Sequence, residues 1–218
     1  MTLHADALSG LRRWTAPTPE QEAVRRRYVA HLEARPDAMT RECRPDHLTA
    51  STLVLSTDHS RVLLTLHAKA HRWFQLGGHC EPGDTTLAGA ARREASEESG
   101  LTDLVLDPVP VQLSEHAVPF CGAGLPDGPV HHLDVRFVTV AAPDARHEVS
   151  EESLAVAWWP VDALPDADPD LVELVSLALA RAVPDPVGPD PVGPDPVGPD
   201  QSTPGGGSVR VAADQPSR

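Results

Sequence analysis

No stretch of this sequence approaches the roughly 18–20 consecutive apolar residues that a membrane-spanning helix needs. The opening MTLHADALSGLRRWTAPTPEQ has no unbroken apolar segment of the kind a secretory signal carries. Cysteine is scarce. Cys43, Cys80 and Cys121 are odd in number, far apart and without a CxxC pair, which argues against a disulfide scaffold and suits a reducing, cytoplasmic compartment. Positive charge is also in deficit: the formal net charge is -14 and the pI is near 5.1. No basic face is evident to release counterions, so a nucleic-acid duplex is a poor partner. The acidity mainly serves solubility. It leaves room for a small phosphorylated substrate, provided a divalent cation screens the repulsion.

What is plentiful is proline and glycine, 23 and 15 residues in a chain of 218. From Pro184 the chain repeats PDPVG and continues into QSTPGGGSVRVAADQPSR. This stretch can neither pack a core nor hold a helix, and is expected to be a disordered, polyproline-like tail. Its role is a spacer or docking segment, or a neutral repeat. The expected organisation is an N-terminal helical extension over 1–46, one domain over 47–183 and the tail over 184–218.

In the extension, TPEQEAVRRRYVAHLEARPDA predicts a helix capped by Thr18, with Pro19 at its first position, Gln21 closing a capping box and Arg35-Pro36 ending it. HLTASTLVLS and RVLLTLHA, separated by TDHS, predict a hairpin. RWFQLGGH is a short strand running into glycines, and PVQLSEHAVP, HHLDVRFVTVAA and SLAVAWWPV are further strands. In the second of these, Leu133, Val135 and Phe137 alternate with His132, Asp134 and Arg136. DPDLVELVSLALARAV closes the domain as a helix with Asp168 as N-cap and Pro169 first. The fold class implied is α/β, a mixed sheet with helices on both faces.

The helix after the glycines poses the functional question. Thr85 or Thr86 can cap it and Gly100 can end it in a left-handed C-cap. Glu94, Glu97 and Glu98 fall within an arc of roughly 100°. The pairs 94/97 and 94/98 each cost roughly 0.2–0.5 kcal/mol. Glu97 and Glu98 also face the negative end of the helix dipole, at about 0.3–1 kcal/mol each when exposed. Arg93 offsets only a few tenths. A divalent cation of the Mg²⁺ type, which prefers carboxylate and water oxygens, reverses that sign; the alternative is a solvated acidic face. Gly77-Gly78 permits a tight turn whose N–H groups can approach a phosphate, and Gly83 a second bend.

These residues resemble the signature of the Nudix hydrolase family: a glycine, an acidic residue six positions on, then Arg-Glu-hydrophobic-x-Glu-Glu-x-Gly-hydrophobic. Gly78, Arg93, Glu94, Ala95, Glu97, Glu98, Gly100 and Leu101 match it in order. Asp84 stands where the family usually has Glu, and one extra residue separates it from Arg93. The resemblance implies a Nudix-like α/β/α sandwich. It implies Mg²⁺ or Mn²⁺ held by Glu94, Glu97 and Glu98, and Arg93 orienting Glu97 or Asp84. Gly77, Gly78 and His79 would lie at the substrate phosphates. The reaction implied is hydrolysis of a diphosphate linkage in a nucleoside diphosphate joined to another moiety. Glu98 is one candidate general base; Glu148, Glu151 and Glu152 are others. One of these three could add a metal ligand.

Other readings stay open beside it. A non-catalytic sensor of a nucleotide or ADP-ribose shares the fold but has no need of all three glutamates. An isopentenyl diphosphate isomerase shares it too, yet no separate catalytic cysteine motif is present and Cys80 lies inside the glycine loop. His131, His132 and Asp134 could line a pocket without forming a complete metal site. Trp158 and Trp159 point to opposite sides of a strand, and with Trp73, Phe74 and Phe120 are assigned to core packing or base stacking. The partner implied is a small nucleotide-type diphosphate; a homodimer is one assembly the sequence leaves open.

Overall fold

The computed structural model describes residues 1–119, 121, 130–143, 145–148, 153–166 and 168–182; the Pro/Gly tail, Phe120, Glu151 and Glu152 lie outside them. Two helices come first, α1 (Leu3–Arg13) and α2 (Pro19–Ala34). Strands β1 (Asp46–Leu55), β2 (Arg61–His67), β3 (Trp73–Phe74) and β4 (Leu76–His79) follow. Helix α3 (Leu87–Ser99) precedes β5 (Gln112–Ala117), β6 (His131–Val140), β7 (Ser153–Pro160) and α4 (Pro169–Ala182).

The sheet runs β3-β2-β1-β6-β5, with β4 also pairing β1 and β7 pairing β2. It is mixed as expected: β1 and β6 run parallel in unbroken register from Asp46↔His131 to Leu55↔Val140. The hairpin of β1 and β2 is short, pairing only Val54↔Leu63 and Leu55↔Val62. Upstream of that, β1 takes β4 as its partner instead. RWFQLGGH therefore divides at Gln75, with β3 on β2 and β4 on β1. The glycines lie inside β4 and form no turn. Gly77 pairs with Ser51, and a Cβ there would stand 2.2 Å from the Ser51 Cβ; only glycine lets the backbones come this close.

Three helices cover one face of the sheet. Leu48, Ala50, Leu133 and Val135 pack with Ala7 and Leu11 of α1, Tyr28 and Leu32 of α2, and Ala90 and Ala91 of α3. Helix α1, a separate element within the expected N-terminal extension, follows from a Thr2 cap and the buried pair Ala7 and Leu11, one helical turn apart. Its Asp6 accepts the Leu87 N–H at 3.1 Å, so the extension helps to cap α3. The other face is covered by α4, whose Leu171, Leu174, Val175 and Ala178 bury Leu53, Leu55 and Val138.

The expected caps are present at Thr18 and Gly100, the latter with φ of 72°, and of the alternatives Thr85 and Thr86 it is Thr86 that caps α3. Gln21 is the exception. Instead of returning to Thr18, its amide donates to Leu113 O at 3.1 Å and accepts from Leu113 N at 2.8 Å. The side chain thus satisfies backbone groups of edge strand β5, a stronger demand than a helix cap that water can serve. Trp158 and Trp159 do face opposite sides, each packed against a different core cluster. No helix among the described residues is long and apolar enough to cross a membrane.

Candidate active site

Helix α3 lies against β1 and β4 because Ala90, Ala91 and Ala95 are small and fully buried. That closeness brings its carboxylates to the glycine pair. Glu98 Oε2 accepts the Gly77 N–H at 2.9 Å. Glu94 lies flat over Gly78, where a Cβ would meet its Oε2 at 2.6 Å. Glu97 turns outward, with 58% of its side chain exposed. In this geometry Gly77 positions a carboxylate, and its N–H is occupied by that bond.

Arg93 ties the group together. Its Nη1 donates to Glu94 Oε1 and Glu97 Oε2, both at 3.0 Å. Its Nη2 donates to Asp84 Oδ2 at 3.0 Å and to the His79 carbonyl at 2.9 Å, and Nε reaches Asp84 Oδ1 at 3.3 Å. Burial works against the guanidinium's charge, but Asp84 and Glu94 more than offset it and raise its pKa further. Asp84 also accepts the Glu81 N–H at 2.8 Å, which sets the bend before α3. The extra residue between Asp84 and Arg93 is absorbed ahead of the glutamates, and Asp84 keeps a bidentate grip on Arg93. Glu148 sits at the other end of α3, its N–H donating to Ser99 O at 2.7 Å.

Beside the glutamates opens a cavity of about 2010 Å³ whose floor is one polar half of the sheet. Asp134, only 3% exposed, accepts from Thr49 Oγ1 at 3.0 Å, Ser51 Oγ at 2.7 Å, Gln75 Nε2 at 3.2 Å and Arg136 Nε at 3.0 Å. Arg136 Nη1 reaches Gln112 Oε1 and Asp170 Oδ2, both at 2.7 Å. Burial alone would raise the Asp134 carboxyl, but Arg136, His116 and the Ser51 hydroxyl outweigh it and hold it below the ordinary range. A buried pair this fully bonded is a rigid floor with fixed donors and acceptors.

Asp134 is an expected pocket residue, whereas Arg136 and Asp170 join the site only through the fold. The available signal was polar residues at every second position of both β1 and β6. His79, expected near phosphate, turns its ring toward His47 and His132, with centroids 5.1 and 4.7 Å away.

Residues 45–177, well over half of the chain, match the family model of the NUDIX domain. The chain belongs to the Nudix family, and by class it is a Nudix pyrophosphohydrolase acting on phosphoric anhydride bonds. No curated protein matches it. Among solved structures, a NUDIX-family hydrolase from Clostridium perfringens is similar at 22% identity, covering 62% of this chain and 97% of the other, with a TM-score of 0.46. The E. coli dihydroneopterin triphosphate pyrophosphohydrolase is similar at 18% identity, covering 63% and 97%, with a TM-score of 0.49. A C. elegans Ap4A hydrolase is similar at 16% identity, covering 62% and 98%, with a TM-score of 0.46.

Proposed function

We propose that the chain hydrolyses the diphosphate linkage of a nucleoside diphosphate joined to another moiety, with Mg²⁺ or Mn²⁺ held by Glu94, Glu97 and Glu98. The observation that carries this reading is the seating of Glu94 and Glu98 on the glycine pair at the edge of the polar cavity. Nudix enzymes generally use a divalent metal. Glu94 and Glu98 offer a hard cation carboxylate oxygens, and Gly78 lacks the Cβ that would push Glu94 aside, while Glu97, turned outward onto Arg93, would join them on binding. Held by Glu94, Glu97 and Glu98, such an ion would supply positive charge against the phosphates and a more acidic water.

The chain's own residues do the rest. Arg93 holds Glu94, Glu97 and Asp84 in fixed relation, so their mutual repulsion does not spread the site. The Gly77 N–H fixes the orientation of Glu98, which serves as general base toward the hydrolytic water; Glu148, close to the end of the same helix, is the second candidate. At about 2010 Å³ the cavity exceeds the 300–1,000 Å³ or so typical of small-ligand sites, and suits a substrate with a group on each side of the diphosphate. The Asp134–Arg136 floor offers polar groups to whatever lies beyond the phosphates.

The test is phosphate or pyrophosphate release from a nucleoside triphosphate, a nucleotide sugar, ADP-ribose and a dinucleoside polyphosphate, with Mg²⁺ or Mn²⁺. Metal-dependent turnover of one class, lost in Glu98→Gln, is the expected result. Tight binding of one compound with no release from any would replace the hydrolase with a sensor.

A further inference from the structure

A second group of ligand-bearing side chains lies where β1 and β6 begin and β4 ends. His47 and His132 are register partners across the parallel pair, His79 stands opposite Thr49, and Cys121 follows β5. One donor atom from each lies within 4.8 Å of all the others. Cys121 Sγ is 3.8 Å from His47 Nε2 and 3.7 Å from His79 Nε2. In a tetrahedral zinc site, with Zn–N about 2.0–2.1 Å and Zn–S about 2.3 Å, nitrogen and sulfur stand about 3.6 Å apart. These two sulfur–nitrogen spacings need to close by only a small fraction of an ångström, and the remaining donor pairs lie within 4.8 Å.

The hydrogen-bond geometry fits ligation. His47 Nδ1 lies 3.3 Å from the Cys43 carbonyl, which can only accept. Nδ1 therefore carries the proton, and the Nε2 near Cys121 presents a lone pair, the outer-shell arrangement common for ligating histidines. His132 Nε2 is buried with no hydrogen-bond partner, an omission that calls for an explanation in a folded protein.

The geometry points to a second metal centre, in which His47, His79, His132 and Cys121 bind a borderline-soft cation of the Zn²⁺ type. On binding, the Cys121 thiol releases its proton to solvent, its sulfur bonds to the cation, and the three neutral imidazoles donate lone pairs. No redox partner is required. Three nitrogens and a thiolate are a set that Mg²⁺ disfavours and Zn²⁺ favours. With four protein ligands the centre is closed and structural. It fastens β1, β4, β6 and the turn after β5 at one point. It also anchors the residue after Gly78, whose carbonyl accepts from Arg93. The centre does not depend on which substrate the glutamates serve.

The test uses the untagged full-length chain, stripped with a chelator and reloaded with Zn²⁺ or Co²⁺. The expected result is one Zn²⁺ per chain by elemental analysis. In the Co²⁺ form, intense tetrahedral visible bands should accompany a near-ultraviolet thiolate-to-cobalt band. Cys121→Ser should abolish the thiolate band and weaken Zn²⁺ binding by at least the roughly 10–100-fold that loss of an outer-shell partner costs. His132→Asn should remove stoichiometric binding, whereas Glu98→Gln should leave it intact. Should Cys121→Ser not fold, alkylation of Cys121 in the stripped protein, with Zn²⁺ protecting the thiol, reads the same bond. A Co²⁺ form without a thiolate band, a band that survives Cys121→Ser, or alkylation indifferent to Zn²⁺ would overturn the proposal.

Discussion

Along β1 the residues 47, 49, 51, 53 and 55 share one face of the sheet. Leu53 and Leu55, at its downstream end, disappear under Leu171, Leu174 and Val175 of α4. His47, Thr49 and Ser51, at its upstream end, are just as inaccessible, yet all are polar. Strand β6 repeats the division, with Val138 under α4 and His132, Asp134 and Arg136 on the polar half. An apolar half needs no explanation beyond burial. A polar half of the same strands, withdrawn from water at every position but the half-buried His132, is costly unless every buried group is bonded, so its composition reports a demand other than stability. Here that demand is the cavity floor and the imidazole–thiol cluster beside it, whose His79 and His132 also line the cavity.

Breaking the chemistry while sparing the fold should give the largest effect. Glu98→Gln should lower kcat by about 10²–10⁴-fold in steady-state assays. Its urea midpoint should hardly move, because a glutamine oxygen can still accept from Gly77. The two halves of the sheet face should respond differently to truncation. Arg136→Met leaves Asp134 buried and uncompensated and should cost about 3–5 kcal/mol by urea denaturation. Leu53→Ala should cost about 2–5 kcal/mol with kcat retained in the folded fraction, whereas Arg136→Met should lose turnover even where folded.

The adjacent glycines sharpen the contrast at finer scale. Gly77→Ala forces a Cβ into Ser51 and should destabilise by about 1–3 kcal/mol. Gly78→Ala meets only the carboxylate end of the Glu94 side chain. It should cost less stability but cut turnover about tenfold, since an ångström of misplacement can cost about 10²-fold.

The smallest effect lies at the last turn of α4. Asp107 pairs with Arg181 at 2.6 Å. Burial raises its carboxyl, but Arg181 and the Val109 N–H prevail and hold it below the ordinary range. Its contribution is therefore present above the ordinary aspartate pKa of about 3.9 and fades as pH falls through the lower folded value. Asp107→Asn should cost under about 1 kcal/mol near neutrality, and the difference from wild type should vanish in acid denaturation series.

Most of this framework could be read from local signals. Thr18, Thr86 and Gly100 announce helix ends by their own chemistry, and the spacing of Glu94, Glu97 and Glu98 is a property of one helix. What could not be read depends on register between distant strands. His47 meets His132, and Ser51 meets Asp134, only because β1 and β6 pair in parallel without a slip. Nothing local distinguishes that register from its neighbours. Gln21 shows the same limit: its position fits a capping box, but an edge strand brought alongside by the fold claims its amide. The glycine pair looked like a turn because two glycines permit one, whereas the approach of Ser51 and Glu94 requires them in a strand.

The central claim is that the hard, oxygen-rich site belongs to the glutamates and is separate from the imidazole–thiol cluster. Mn²⁺ binding followed by electron paramagnetic resonance, in wild type, Glu98→Gln and His132→Asn, tests it directly. The account predicts that Mn²⁺ affinity collapses in Glu98→Gln and persists in His132→Asn. Binding that survives Glu98→Gln unchanged, in protein whose circular dichroism matches wild type, would contradict it.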